Sequence, residues 1–391
     1  MFGLYIHIPY CRSKCRYCDF YSTPCPDGVP EAYIDALCRE MDRFSPCGST
    51  PLRPDTLYFG GGTPSLLTPA QAARLIRAAG PAPGAEITLE ANPETVTPER
   101  LAAFRRAGVN RLSLGIQTAR DDSLARLGRR HTAAQSRRAL GMAVQAGFTD
   151  ISGDLMLALP AYTMAELDET IALLAESGCT HISGYLLKIE PNTVFGKCPP
   201  EALPGDDAAA DFYLAAVEKL AALGYAQYEI SNFARPGFES RHNRIYWDCG
   251  DYLGLGPAAH SCMGGKERGR ARGVRTPGRM HRRRLHHAPA PSFPRAFIER
   301  AARAVRRILL LRKAPVPANA CGAWAGCFRR QRPAPDAPGN AGSEQHPVRA
   351  CVKLFYCPVH FLSISKKHPA QALCRSAGRS SLQVSYDLTF L

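Results

Sequence analysis

The chain alternates between continuous apolar runs and longer stretches in which apolar residues recur at helical spacing. The apolar runs cover residues 2–8, 56–59, 86–90, 111–116, 149–155 and 181–187. The helical stretches lie near residues 30–44, 68–79, 97–107, 133–146, 163–177 and 206–223. Uninterrupted apolar runs are typical of strands that are buried on both faces of a parallel sheet. Six strand–helix repeats therefore predict an α/β fold with a parallel sheet over residues 1–235.

Local signals support the start of two of these helices. Thr68 stands directly before Pro69, and Thr97 stands directly before Pro98. Threonine is a favoured N-cap residue because its hydroxyl accepts a hydrogen bond from the first turn, and proline is favoured at the first helical position. We therefore expect helices to begin at residues 69 and 98.

Charge is distributed unevenly along the 391 residues, whose formal net charge is +15. Residues 1–264 hold 24 Lys and Arg against 29 Asp and Glu, whereas residues 265–391 hold 25 against 5. We therefore predict three parts: a first domain over residues 1–235, a short segment over residues 236–264, and a basic tail over residues 265–391.

The basic tail is rich in Arg and Pro, and only residues 297–311 have the pattern of an amphipathic helix. Three interpretations of the tail are open. It could be a basic arm that binds nucleic acid or an anionic membrane, or a flexible extension without a specific role. It could also be the product of a reading-frame error that replaced a folded domain. We favour the last interpretation, because the apolar pattern is lost abruptly after residues 259–262. We expect the tail to be disordered.

Three cysteines, Cys11, Cys15 and Cys18, follow the first predicted strand in the spacing C-x3-C-x2-C. A [4Fe–4S] cluster normally takes four cysteine thiolates, so three would leave one iron open to another ligand. The alternative is a zinc knuckle with His7 as fourth ligand, although zinc sites usually have a second cysteine hook. A disulfide is disfavoured because no secretory signal is visible, and free thiols fit a cytosolic chain.

Four further segments follow the predicted strands in order, and with the cysteines they resemble the radical S-adenosylmethionine (SAM) superfamily. They are Gly60-Gly61-Gly62-Thr63-Pro64, Leu89-Glu90-Ala91-Asn92-Pro93, Leu114-Gly115-Ile116-Gln117, and Gly153-Asp154-Leu155 with Leu159-Pro160. Within that superfamily they resemble the coproporphyrinogen dehydrogenase branch, which includes the HemW-type heme chaperones. The resemblance implies a partial (β/α)6 barrel. Active sites of β/α barrels lie at the carboxyl ends of the strands, where these segments fall.

The resemblance also implies which residues bind the cofactors. Cys11, Cys15 and Cys18 would hold a [4Fe–4S] cluster whose open iron takes SAM. The other expected SAM-site residues are Tyr5, Tyr17, Gly61, Gly62, Thr63, Glu90, Gln117, Arg129, Asp154 and Lys188. Two of these have a plainer alternative: Tyr17 could be only a wall of the cluster pocket, and Arg129 could be a surface residue that its neighbour Arg130 replaces.

A second segment, His242-Asn243-Arg244-Ile245-Tyr246-Trp247, resembles the H-N-x-x-Y-W signature of HemW-type chaperones. Histidine is a common axial ligand of heme iron, so His242 is the expected heme ligand, with Cys249 and His260 as rivals. A buried, hydrogen-bonded structural histidine is the plainer alternative. Phe20 occupies the position where the dehydrogenases have a fourth cysteine, and the chain begins directly on the first strand, without the segment expected there in the dehydrogenases.

The resemblance and these features together imply a cytoplasmic heme chaperone rather than a coproporphyrinogen dehydrogenase. It would bind a [4Fe–4S] cluster, SAM and heme, and deliver heme to an acceptor hemoprotein such as a respiratory one. An electron donor of unknown identity and a homodimer are further expectations. No specific nucleic acid is expected as a partner. No membrane span is expected either, because no apolar run reaches roughly 18 residues. One alternative is oxygen-independent coproporphyrinogen III dehydrogenase; another is a nucleic-acid binder directed by the tail.

Overall fold

The computed structural model describes residues 1–45, residues 51–264 and the backbone of the strand Lys266–Gly269. All the interpretations of the basic tail, including its disorder and its candidate helix, lie outside these residues apart from that short strand.

An eleven-stranded sheet organises the described residues. Its strands, numbered along the chain, are β1 Phe2–Ile8, β2 Thr56–Gly61, β3 Glu86–Ala91, β4 Arg111–Gln117, β5 Asp150–Leu157, β6 His181–Leu186, β7 Ala226–Gln227, β8 Asn232–Ala234, β9 Asp251–Leu255, β10 His260–Met263 and β11 Lys266–Gly269. The order across the sheet is β11-β10-β9-β1-β2-β3-β4-β5-β6-β8-β7. Strands β1 to β6 are all parallel and adjacent in chain order.

Helices connect successive strands of the parallel sheet. They are α1 Glu31–Asp42, α2 Pro69–Ala79, α3 Pro98–Ala107, α4 Asp121–Leu127, α5 Ala133–Gln145, α6 Met164–Glu176, α7 Val194–Lys197, α8 Asp206–Ala222 and α9 Arg241–Trp247. Single 3-10 turns follow β2 at Pro64–Leu66 and β3 at Pro93–Thr95. Because each crossover returns the chain to the same end of the sheet, the loops after β1 to β6 all meet at its carboxyl edge.

The predicted α/β fold with a parallel sheet is confirmed, and the element boundaries agree closely. All seven residues of β4 are buried, as an uninterrupted apolar run predicts. The hydroxyl of Thr68 accepts a hydrogen bond from the backbone N–H of Gln71, and the Gln71 side-chain oxygen accepts one from the backbone N–H of Thr68. This reciprocal capping starts α2 at Pro69, and the Thr97 hydroxyl caps α3 in a similar way.

The segment after residue 235 adds to the same sheet. Strand β9 pairs in parallel with β1, with Phe2 opposite Asp251 and Ile6 opposite Leu255. The parallel core therefore has seven strands, one more than the sequence predicts. The extra strand lies beside β1 on the side away from β2, although it is about 250 residues from β1 in the chain.

Candidate functional site

The cysteine loop leaves β1 and is closed at its base by backbone hydrogen bonds. The two-residue strands Tyr10–Cys11 and Thr23–Pro24 pair in parallel, and the N–H of Cys25 donates to the carbonyl of Cys11 at 2.7 Å. Farther along the loop, the N–H of Arg16 donates to the carbonyl of Leu127, the last residue of α4, at 3.0 Å. The loop is therefore held at both its base and its middle.

The three cysteines of this loop are free thiols, with Cys11 buried and Cys15 and Cys18 partly buried. Burial raises the pKa of Cys11 above its ordinary value and raises that of Cys18 to about 11. A thiolate here needs a compensating positive charge, and bound iron would supply one, since metal coordination deprotonates a thiol.

The geometry fits a cluster better than a zinc ion. Within residues 1–45 and 51–264, no three His, Cys, Asp or Glu side chains converge as ligands of one metal ion. A cubane does not require such convergence, because each thiolate binds a different iron. The ring nitrogens of His7, the proposed zinc ligand, contact the Tyr21 carbonyl at 2.8 Å and the Tyr5 hydroxyl at 3.1 Å.

The glycine-rich segment after β2 packs directly against the cysteine loop. A Cβ on Gly62 would lie 2.7 Å from the carbonyl oxygen of Tyr10 and 3.0 Å from Sγ of Cys11. The Thr63 hydroxyl donates to Cys11 Sγ at 3.5 Å. Hydrogen bonds to the sulfurs are among the factors that tune an iron–sulfur cluster. The donor set and this close cradle therefore suit a cluster.

Glu90 ends β3 beside the same glycine segment. Its Oε2 accepts a hydrogen bond from the N–H of Gly61 at 3.2 Å, and its Oε1 accepts one from the Tyr58 hydroxyl at 2.9 Å. Gly61 has φ of +115°, a backbone conformation that glycine adopts more readily than other residues. Burial raises the pKa of Glu90 to about 7, and the nearby Asp154 adds to the rise. The site therefore holds a carboxyl group poised between its two protonation states.

Asp154 and Gln117 lie on the neighbouring strands β5 and β4. Ser113 donates a hydrogen bond to Asp154 Oδ1 at 3.3 Å, and burial raises the pKa of Asp154 to about 6. Gln117 has φ of +70°, which is unusual for a residue other than glycine, and its Oε1 accepts a hydrogen bond from the Tyr185 hydroxyl at 2.7 Å. A strained non-glycine residue at a strand end is a feature associated with functional sites.

Arg129 is the cation of the site and is not interchangeable with Arg130, which is exposed. Its Nη2 donates to Asn92 Oδ1 and to the Gly115 carbonyl, both at 2.7 Å, and its Nη1 donates to Cys15 Sγ at 3.6 Å. Burial works to lower the pKa of Arg129, but Tyr17, Cys15 and other acidic neighbours outweigh it and keep that pKa raised.

The remaining expected SAM-site residues lie around the same edge of the sheet. Burial raises the pKa of Tyr17, whose charged neighbours include Arg129 and Asp154. Tyr5 lies on β1, with its hydroxyl on His7. Lys188 follows β6 and forms an ion pair with Glu190 at 2.7 Å. Asp19 follows Cys18, the last cysteine of the loop. Burial raises the pKa of Asp19, Glu190 raises it further, and Lys188 opposes the rise.

His242 lies at the opposite end of the sheet from the cysteine loop. Its Nδ1 is 2.7 Å from the hydroxyl of Thr56, the first residue of β2, and its Nε2 is 2.7 Å from the Tyr246 hydroxyl. It is 1% exposed, and burial lowers its pKa to about 3. In this conformation both ring nitrogens have partners, so His242 would have to give one up to ligate heme iron. The rivals Cys249 and His260 are exposed.

Several contributors to the site were not among the expected SAM-site residues. Asn92 joins Arg129 to Thr63, since its Nδ2 donates to the Thr63 hydroxyl at 3.1 Å. Tyr58 holds Glu90. Nδ1 of the buried His131 lies 3.3 Å from Oε2 of Glu94. Asn92 stands two residues after Glu90 at a strand end, which was the available signal for it; Tyr58 lies within an apolar run and gave none.

A parallel α/β sheet with three free cysteines on the loop after β1, and with polar groups from β2 to β5 around that loop, is typical of a radical SAM protein. In agreement, the Radical SAM superfamily pattern matches residues 5–174. Within that superfamily the chain belongs to the HemW-type family.

The relatives that support this assignment align with about two thirds of this chain. The heme chaperone HemW of Escherichia coli (strain K12) is 43% identical over 263 residues, which are 66% of this chain and 69% of the relative. HemW of Bacillus subtilis (strain 168) is 38% identical over 274 residues, 68% of this chain and 72% of the relative. The solved structure of the radical SAM enzyme coproporphyrinogen III oxidase (HemN) from Escherichia coli has a TM-score of 0.59 at 26% identity, covering 67% of this chain and 65% of that one.

Proposed function

We propose that this protein is a heme chaperone that binds a [4Fe–4S] cluster, SAM and heme, and delivers heme to an acceptor hemoprotein. The observation that carries the proposal is an identity of 41–43% to HemW heme chaperones over 66% of this chain. The packing of the glycine segment and Arg129 against the cysteine loop supports the cofactor part.

The residues of the chain divide the work of holding the cofactors. Cys11, Cys15 and Cys18 would ligate three irons, and the cluster supplies one-electron chemistry when it is bound. Thr63 and Arg129 donate hydrogen bonds to the sulfurs of Cys11 and Cys15, respectively. The other expected SAM-site residues, from Glu90 to Lys188, would line the space beyond the open iron.

Cluster ligation is tested by anaerobic reconstitution of single cysteine variants. Cys15→Ser should lose the visible absorption of the cluster and the bound iron and sulfide. Cys198→Ser is the matched control, because Cys198 is exposed on the segment after α7 and outside the loop. Equal cluster content in both variants would contradict the assignment of the ligands.

A second candidate is the reaction of oxygen-independent coproporphyrinogen III dehydrogenase, favoured by the match to the solved coproporphyrinogen III oxidase. An anaerobic assay with SAM and a reductant distinguishes the two. We expect no conversion of coproporphyrinogen III, and transfer of heme to a heme-depleted acceptor. Formation of protoporphyrinogen would favour the dehydrogenase.

The remaining parts of the proposal concern partners and location. We propose a cytoplasmic protein that receives electrons from a separate donor and works as a homodimer. Among the residues that the structure describes, no helix is long and apolar enough to cross a membrane. Sedimentation of the reconstituted protein with and without heme tests the dimer, and a single monomeric species under both conditions would exclude it.

A further inference from the structure

The side chain of His242 is built into the interior of the sheet's amino-terminal end. Its ring stacks on Tyr58, with centroids 5.0 Å apart and an interplanar angle of 28°, and it meets the Tyr246 ring edge-on at 4.9 Å. Thr56 and Tyr246 engage its two nitrogens. A ligand to heme iron needs a free nitrogen lone pair and access for the macrocycle, and this position offers neither.

The backbone around His242 is fixed as firmly as its ring. The carboxylate of Glu86, the first residue of β3, accepts hydrogen bonds from the N–H groups of Arg241 and His242 at 2.8 and 3.0 Å. The Ser240 hydroxyl donates to the same carboxylate at 3.3 Å. A carboxylate at the start of a helix satisfies donors that have no partner within the helix. Glu86 therefore fastens α9 to the sheet and sets the height of the His242 ring.

Tyr58 connects this end of the sheet to the expected SAM site. Its ring lies between His242 and Tyr5, whose ring stacks on it with centroids 6.0 Å apart. Its hydroxyl donates to Glu90 Oε1 at 2.9 Å. The other oxygen of Glu90 accepts the N–H of Gly61, one residue before the glycine that packs on Cys11. One continuous series of contacts therefore runs from α9 to the edge of the cysteine loop.

From this geometry we propose that His242 is a positioning residue for the SAM site: it holds the Tyr58 ring so that the Tyr58 hydroxyl fixes the Glu90 carboxylate, and it does not ligate heme iron. The inference rests on the proposed function for the role of Glu90 toward SAM. It assigns the His-Asn-x-x-Tyr-Trp segment to SAM binding, and it leaves heme to bind elsewhere on the chain.

The distance along the sheet supports the separation of the two roles. Thr56, which His242 contacts, is four residues before Gly60, and a strand advances about 3.3 Å per residue. Thr56 therefore lies roughly 13 Å from Gly60, the first residue of the glycine segment. A residue at that distance from the glycine segment acts on SAM through the side chains between them, and Tyr58 touches both His242 and Glu90.

Two variants test the proposal in the reconstituted full chain, with SAM and heme as separate probes. Tyr58→Phe keeps the stacked ring and removes only the hydroxyl that holds Glu90. His242→Phe keeps an aromatic ring and removes both nitrogens. Because a hydrogen bond to a charged group is worth enough to change binding about tenfold, we expect SAM to bind about tenfold more weakly in each, with heme affinity and the Soret band unchanged.

The pH dependence of SAM affinity separates positioning from general loosening. Besides burial, which raises the pKa of Glu90, Asp154 raises it, and Tyr58, the N–H of Gly61 and Arg111 lower it. Tyr5 and Tyr246 also face Glu90; burial is the main cause of their raised pKa values, and the charge of Glu90 raises them further. The Tyr58 hydrogen bond lowers the pKa of Glu90. Its loss in Tyr58→Phe should therefore move the midpoint of SAM binding to higher pH, which a loosened fold would not do.

The matched control is Tyr225→Phe, which removes a buried tyrosine hydroxyl that donates to the Cys179 carbonyl at 2.6 Å. It should leave both SAM and heme binding unchanged. Loss of the Soret signature in His242→Phe with wild-type SAM affinity would overturn the inference and make His242 a heme ligand. If the wild-type chain binds no heme, the proposed function fails, whereas the SAM affinities still decide the role of His242.

Discussion

Gly62 is a residue of the glycine segment that packs directly on the cysteine loop. Its missing side chain leaves room for the Tyr10 carbonyl and Cys11 Sγ. Backbone at 2.7 Å cannot accommodate a methyl group without a shift of the loop. The thiolate that begins the cysteine motif therefore depends on a glycine fifty residues away in the sequence.

We predict that Gly62→Ala lowers the cluster content after anaerobic reconstitution severalfold. The added Cβ would push the cysteine loop away from β2 and misplace Cys11. Gly141→Ala is the control, because Gly141 lies within α5 and its Cβ would meet nothing within 4 Å. That change should leave cluster content intact and stabilise the fold by about 0.5–1 kcal/mol. Full cluster loading in Gly62→Ala would show that the cradle is not required.

Glu90 gives the stability of the protein a specific dependence on pH. Burial raises its pKa from 4.5 to about 7, so the folded chain holds this proton more tightly than the unfolded chain. The fold therefore loses stability as pH rises from about 4.5 to 7, and Glu90→Gln should gain roughly 2 kcal/mol relative to wild type between pH 5 and pH 8. Denaturant unfolding of both chains at the two pH values measures this difference.

The exposed Glu99 provides a control of opposite sign. A hydrogen bond from Thr97 lowers the pKa of Glu99, so its charged form favours the folded chain. Glu99→Gln should lose relative stability as the pH rises, not gain it. An identical pH response in both variants would contradict the environment described for Glu90.

Single residues also mark the limit of prediction from sequence. The spacing of Cys11, Cys15 and Cys18 was sufficient to propose a cluster loop, because a spacing is local. Arg129 looked replaceable by Arg130, and only the folded chain shows it on Asn92 and Cys15. Such contacts join residues that are tens of positions apart, so no local pattern contains them.

At the scale of elements, the six long strands were predictable and the seventh was not. Each of the six is a continuous apolar run followed by an amphipathic helix. Strand β9 is five residues long, contains Gly254, and follows the seven-residue α9 without the usual repeat. Its pairing with β1 is set by tertiary contact. Helix α4 was also missed, because its seven residues are too few to display a helical period.

The attachment of α9 to the sheet gives a prediction for stability. Glu86→Ala would remove the carboxylate that accepts from Ser240, Arg241 and His242 in a buried position. Leaving such donors unpaired should lower the free energy of unfolding by about 3 kcal/mol. Glu176→Ala is the control, because its pair with Arg137 is exposed and long at 3.7 Å, and it should change stability by less than about 0.5 kcal/mol. Equal effects in urea unfolding would contradict this role of Glu86.

For the whole molecule, the sheet separates two kinds of polar chemistry. The carboxyl edge gathers the thiols, Arg129, Glu90 and Asp154, whereas the amino-terminal end holds the hydrogen-bonded cluster around His242. The class of fold and the cysteine site followed from sequence because both rest on repeated or local patterns. The position of the His242 segment did not, because strand pairing over more than 200 residues placed it.

The central claim, that this chain carries heme, is tested most directly by titrating heme into the anaerobically reconstituted full-length protein and following the Soret band. We predict saturable binding at a single site per chain, with the same band in His242→Phe. A linear, non-saturating response from a protein whose cluster is intact would contradict specific heme binding by this chain.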